Sequence, residues 1–295
     1  MFVQNQILMK SLKKFTLLCL AIGLFSCSSS DDSDDQPTNT GNYFPSTVDD
    51  LWIYNVVNAS PDDPAANYTG TDLVEVNSST TSSFTVTVNG GTPPVYGTLN
   101  TLLQSGTLMR TASDLKFSGT VSLPDELAGF FNNNINISLS NVVLYDVNAS
   151  NNEELSINSD TLSQDLTIDT TTLPLTIDYQ FISKSSGFSN SEIVDGQTYN
   201  DVVKTKLTLN VTVTTQIDVV GTPVTYSVID NDDVLIIDTM YAKDVGLIKA
   251  SSQSGFELSP EIITLINLLN PGNNIPTSGS STNNQELDSY VVASN

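Results

Sequence analysis

The chain has 295 residues, with 33 acids against 10 bases, a net charge of −23 and no histidine. A surface this acidic repels nucleic acid and anionic membrane, which excludes nucleic-acid binding. The missing histidine removes Ser-His-Asp and Cys-His catalysis, His-ligated zinc and imidazole acid–base chemistry.

The N-terminus reads as an export signal. Lys10, Lys13 and Lys14 form a cationic n-region, and Phe15 to Phe25 is an uncharged apolar run. That run fits a secretory h-region and is too short to span a bilayer, which takes about 20 residues. The first eight residues add nothing to the n-region, so a start at Met9 serves as well as one at Met1. Leu24-Phe25-Ser26-Cys27 resembles a lipobox, the site where lipoprotein signal peptidase cuts before a lipid-modified cysteine. The plain alternative is an ordinary signal peptide with a chance cysteine. Cys27 closes the apolar run and a polar stretch follows at once, which favours the lipobox.

This resemblance implies that residues 1–26 are removed, that Cys27 carries lipid, and that residues 27–42 are a flexible acidic tether before a domain at 43–295. Ser28, Ser29, Ser30, Asp31, Asp32, Asp34 and Asp35 follow the cysteine directly. They resemble the acidic export signal of surface lipoproteins in Bacteroidota, particularly flavobacteria, which sends the protein to the outer leaflet; the alternative is a solvated spacer. The expected location is therefore the outer membrane, lipid-anchored and facing outward. Cleavage removes three bases and no acid, so the mature charge becomes −26. Cys19 is discarded, which leaves no internal disulfide and no thiol nucleophile. With acids distributed along the chain between strands, only weak attraction for cationic partners is expected.

From Tyr43 onward the chain is long enough for a sizeable core. Leu51 to Val57 reads as a first strand, with Trp52, the only tryptophan, as a core anchor rather than a sugar platform. Tyr68–Val76 and Ser83–Val88 read as a strand pair, Val95–Leu99 and Gly106–Arg110 as weaker strands. Leu115 to Leu123 alternates cleanly. Pro124 to Phe131 suits one or two helical turns. Ile135, Ile137, Leu139, Val143, Tyr145 and Val147 form an odd-numbered apolar face, and Thr161–Ile168 and Leu175–Phe181 continue the pattern. Asp195-Gly196 is a turn. Val203 to Thr214 is a strand of about 40 Å that demands strong coiling. Gly221-Thr222-Pro223 and Asn231-Asp232-Asp233 are expected to turn the chain again. Ser259 as N-cap, Pro260 at the first position, Glu261, and a staple between Leu258 and Ile263 predict a helix to Leu269. It is apolar nearly all round, which predicts full burial. Asn270-Pro271-Gly272 stops it; a mobile loop to Gln285 and a last strand, Glu286 to Ala293, follow. The fold class is mainly β: one curved antiparallel sheet, a half-barrel or two-layer sandwich, with a short buried C-terminal helix at about 260–270.

Four clusters carry a further resemblance: Tyr43-Phe44-Pro45 with Trp52-x-Tyr54, Tyr199 to Lys204, Tyr241 to Lys249, and Glu286 to Tyr290. Their order resembles uncharacterised Bacteroidota lipoproteins, whose folds are similar to the curved half-barrels of lipoprotein carriers. The resemblance implies a long curved sheet with a helix on its concave side, and no catalytic residues.

Candidate sites are few. Asp230 to Asp233 lacks the glycine and distal glutamate of a calcium loop and reads as a turn. Asp62-Asp63 lies between prolines in a loop. Arg110, the only arginine, is either an anion clamp or an edge-strand charge, the second being favoured. Asp160-Thr161-Leu162 and Asp169-Thr170-Thr171 match a short O-glycosylation pattern of Bacteroidota, so Thr161 and Thr170 are candidates; Asp238-Thr239-Met240 matches within an apolar strand and is set aside. No metal, cofactor or catalytic residue is assigned. The expected protein is non-enzymatic and binds an apolar small ligand, a glycan or a surface protein, besides the membrane through Cys27. An adhesin or glycan-uptake accessory, and a histidine-free hydrolase with paired carboxylates, are the alternatives.

Overall fold

The computed structural model describes residues 41–131, 135–168, 171–269 and 275–293. The 1–26 signal, Cys27, the tether up to residue 40, Thr170 and the Asn270-Pro271-Gly272 stop lie outside them.

Twelve antiparallel strands form one nearly closed, barrel-like sheet. They are β1 (Leu51–Ala59), β2 (Tyr68–Ser79), β3 (Ser83–Val88), β4 (Thr107–Arg110), β5 (Asp114–Ser122), β6 (Asn136–Asp146), β7 (Glu154–Ile168), β8 (Thr171–Val194), β9 (Gln197–Val219), β10 (Thr222–Ala242), β11 (Gly246–Glu257) and β12 (Ser278–Val291). The spatial order is 6-5-4-3-2-1-12-11-10-9-8-7. Consecutive strands pair throughout except β6 with β7, which are the two edges, and β1 pairs with β12.

The two edges, β6 and β7, overlap instead of laddering together. Asn158 and Ser156 of β7 accept from the backbone N–H groups of Ser140 and Val143, and buried Ser183 of β8 donates to the Val143 carbonyl. Strand β6 thus tucks beneath the rim, its edge satisfied by side chains.

Inward positions are mostly apolar and outward positions mostly polar, the reverse of a membrane-spanning barrel. On β9, Val203, Leu207, Leu209, Val211 and Val213 are buried, while Lys204, Lys206, Thr208, Asn210 and Thr212 face out. The expected long strand is longer still, and β10 beside it absorbs the coiling in bulges between Ser227 and Leu235. There the expected turn at Asn231-Asp232-Asp233 is a bulge inside a continuous strand; Asn231 takes φ 32°. Strand β6 is corrected in the same way. Asn141, at φ 53°, inserts a bulge, so Val142 and Leu144 face inward and the single odd-numbered face is broken.

Alternating strand direction gives the sheet two unlike ends. At one, the connections are short, and the chain enters as a plug. Tyr43 and Phe44 are buried, with Phe44 5.1 Å from Trp52 and 5.5 Å from Phe84, and Tyr43 5.9 Å from Tyr145. Trp52 donates to the Val245 carbonyl and Tyr54 to that of Leu247. Gly246, at φ 113°, lies against the indole; an added Cβ would sit 2.9 Å from its Nε1. Arg110 is no free edge charge: it donates to Asn42 and to the Phe44 carbonyl, pinning the lead-in. The sequence clusters around Tyr43, Trp52 and Tyr241–Lys249 therefore build this plug, and Lys249 pairs with Glu286 at 2.6 Å.

At the other end lie the three α-helices of the described residues: α1 (Thr98–Gln104), α2 (Asp125–Phe131) and α3 (Pro260–Leu269). Ser259 caps α3 as expected, accepting from Ile262 N–H while donating to Ser227 on β10. Only Ile262 and Ile266 of α3 are buried, and Leu268 is 75% exposed, so this helix lies on the rim with one face in. The strand-sheet interior beneath the helices is filled largely by aromatic and aliphatic side chains, α2 contributing Phe130 and Phe131.

One turn at this end is strained. Val220-Gly221 joins β9 to β10 with both residues at positive φ, 56° and 82°. A β-branched residue is unfavourable there, whereas Asp195-Gly196 makes the same kind of turn with suitable residues. Val220 is fully exposed. Val220→Asn is expected to stabilise the fold by about 1 kcal/mol and raise Tm by about 2–4 °C in a thermal melt. An unchanged or lower Tm would show that the turn carries no strain.

Candidate functional site

A cavity of about 320 Å³ opens at the helix-bearing end. Leu102 of α1, Val121 and Leu123 of β5, and Leu235 and Ile237 of β10 supply apolar walls. Tyr68 and Tyr96, with ring centroids 5.6 Å apart, form one side, and Asp125, Glu126, Ser254 and Ser281 bring polar groups to the cavity. Its size lies at the lower end of the range for small-ligand pockets. Helices α1 and α2 bound this cavity, and the C-terminal helix α3 does not line it.

The wall that carries α1 is held by buried polar groups. Asp72 is fully buried on β2, in phase with Val74 and Val76. Its carboxylate accepts from Tyr96 N–H at 3.0 Å, Gly97 N–H at 2.8 Å, Asn100 Nδ2 at 2.9 Å and Asn89 Nδ2 at 3.1 Å. The next two backbone N–H groups, of Thr98 and Leu99, donate to Asn283 and Gln285 on β12. The first turn of a helix leaves its N–H groups without partners, and here distant strands provide them. Gly97 permits the close approach, since a Cβ there would lie 2.4 Å from the Gln285 side chain. Asn283 also donates to the Tyr96 carbonyl, and so does the Tyr68 hydroxyl, which joins the aromatic pair to the same network.

This network overturns two sequence expectations. Val95–Leu99 is no strand but the approach and start of α1; its caps come from Asp72, Asn283 and Gln285, and Gly97 offers no local capping side chain. The loop expected up to Gln285 is largely strand, since β12 begins at Ser278. Asn283 and Gln285 face inward there, so its alternation is between buried and exposed polar residues and leaves no hydropathy period. Asp72 was detectable, as an acid in phase with apolar neighbours.

The strand directions also sort the charges. Arg110 ends β4 and Lys243 lies in the β10–β11 connection, both at the plugged end. Lys116, Lys184, Lys204, Lys206 and Lys249 each lie nearer that end of their strand than the other. These are all the cations after residue 40. The ion pairs found among the described residues, Lys116–Asp114, Lys204–Glu192, Lys206–Asp238 and Lys249–Glu286, use them. The connections at the helix-bearing end contain acids, such as Asp62, Asp63, Asp125, Glu126 and Glu261, and no base. The bases are thus confined to one half of the sheet while acids lie at both ends, so the connections at the helix-bearing end carry acids alone. At the cavity, burial pushes the Tyr68 phenol above its ordinary value; Asp125, Asp72 and Glu126 add to the rise and the Asn283 hydrogen bond opposes it.

The remaining candidates fall apart in space. Asp63 caps a short 3-10 turn and Asp62 accepts from Ser280. In the β10 bulge, Asp233 accepts from Asn210 and Asp230 from Ser227. Thr161 is exposed on β7 and donates to Asp178; Thr239 is buried. Among the described residues, no group of three or more Asp, Glu, Cys or His is placed to hold a metal ion, and no helix is long and apolar enough to cross a membrane. No family model, no curated protein and no solved structure matches the chain.

Proposed function

We propose that this chain is a lipid-anchored surface protein of the outer membrane, of the Bacteroidota type, that holds a small ligand with an apolar part in the cavity beside α1 and α2. The observation that carries this reading is the position of the cavity. It opens at the end of the sheet opposite the aromatic plug of Tyr43 and Phe44, between helices that leave its mouth accessible. The nearly closed sheet with helices at one mouth agrees with the carrier-like resemblance at the level of fold.

The hydrolase reading has one observation in its favour: Asp125 and Glu126 both line the cavity. They are consecutive on α2, so their side chains leave the helix about 100° apart, whereas glycoside hydrolysis needs two carboxyls facing each other across the bond. The exposed aromatics Tyr68, Phe188 and Tyr290 are divided between the two ends, which gives an adhesin reading less support.

An apolar fluorescent probe, N-phenylnaphthylamine, tests the cavity. The purified protein is expected to bind it one to one, and Thr101→Trp, which fills the cavity from α1, to weaken binding at least about tenfold. Absent binding, or binding indifferent to that substitution, would overturn the reading.

A further inference from the structure

We infer that the ligand of this cavity is an amphipathic cation: an alkyl or aryl body seated on the apolar walls, with an ammonium group held between Asp125, Glu126 and the Tyr68–Tyr96 pair. The inference rests on the cavity reading above and names the class of ligand.

Three observations carry it. The first is the lining itself. Leu102, Leu235 and Ile237 offer apolar walls, and among the described residues the only charged side chains that line the cavity are Asp125 and Glu126. The second is the absence of compensation. Neither acid belongs to the ion pairs found among the described residues, and Glu126 has only the Ser254 hydroxyl, at 3.3 Å, as a side-chain donor. Every cation after residue 40 belongs to the plugged half of the sheet, so the potential at the mouth is set by carboxylates alone. Low-dielectric walls focus such a field into a cleft. The partial charge at the start of α2 offsets these two full charges by about half a unit at most. The third is aromatic. Tyr68 and Tyr96, paired at 5.6 Å, line the same cavity as these acids, a setting that favours an organic cation over a hydrated metal ion. A fatty acid or phosphorylated ligand would meet repulsion from both acids and no base.

The test compares three probes of equal chain length, octylammonium, octanol and octanoate, by calorimetry with the purified protein. At low salt octylammonium is expected to bind about tenfold or more tighter than octanol, and octanoate weaker than both. Raising salt from about 0.05 to 1 M, which shortens the screening length to about 3 Å, should remove most of that preference while octanol changes little. In D125N/E126Q the preference should fall towards unity; octanol binding in that variant reports whether the cavity has kept its shape, and if it has not, the salt series on the native chain decides. Octanol binding equal to or better than octylammonium at low salt would overturn the cationic class and leave the cavity reading standing. Binding of none of the three would overturn both.

Discussion

Replacing Asp72 with alanine is expected to lower the unfolding free energy by about 3–5 kcal/mol, seen as a shifted urea midpoint. The buried carboxylate gathers two backbone N–H groups and two side-chain amides. Alanine leaves the N–H groups of Tyr96 and Gly97 and the Asn100 amide facing a void. A buried donor without a partner costs about 1–3 kcal/mol, and hydrogen bonds to a charged acceptor lie at the strong end of the range. Partial relaxation keeps the total below the sum of the separate terms. Asp72→Asn should cost nearly as much, because its NH₂ group would point at other donors. Since α1 forms one wall of the cavity, N-phenylnaphthylamine binding should fall in the same variants before global unfolding. A loss under about 1 kcal/mol would mean that the capping of α1 by β2 is incidental.

Cys27→Ser is expected to move the protein from the membrane pellet to the soluble fraction and abolish labelling by radioactive palmitate. A serine hydroxyl does not form the thioether that carries the lipid. Each buried methylene contributes about 0.8 kcal/mol, and two or more chains make attachment effectively stable, so the loss should be close to complete. Protease shaving of intact cells then reads the side. The native protein should be shaved, and a variant with Asp31, Asp32, Asp34 and Asp35 changed to alanine should remain membrane-bound but protected. If Cys27→Ser stays in the pellet, the lipobox reading falls. If neither anchored form is shaved, the acids are a spacer and the cavity faces the periplasm.

The strands with apolar alternation were legible because a half-buried strand shows its period of two in hydropathy; β3, β5 and β9 are examples. The C-terminal helix was legible through Ser259 and Pro260, whose capping is local. What escaped had no local signal. The start of α1 is satisfied by Asp72 from one side and by Asn283 and Gln285, more than 180 residues away, from the other. The first half of β12 alternates polar with polar. The bulges at Asn141 and in β10 reverse which side chains face in, and the same Asn- and Asp-rich composition also makes true turns.

The sequence by itself determined the chemistries this protein lacks, the signal-like N-terminus, and a mainly-β antiparallel fold, because these depend on residue identity and short-range period. Only the tertiary structure decided where the cavity lies and how the charges are arranged. The few bases are dispersed among many acids along the chain, but each strand reverses direction, so residues far apart in sequence gather at the same end. That reversal collects the seven cations in the plugged half and leaves the mouth to carboxylates. Strand direction turns a net charge into a polarity, and the inferred preference of the cavity for a cation rests on that polarity.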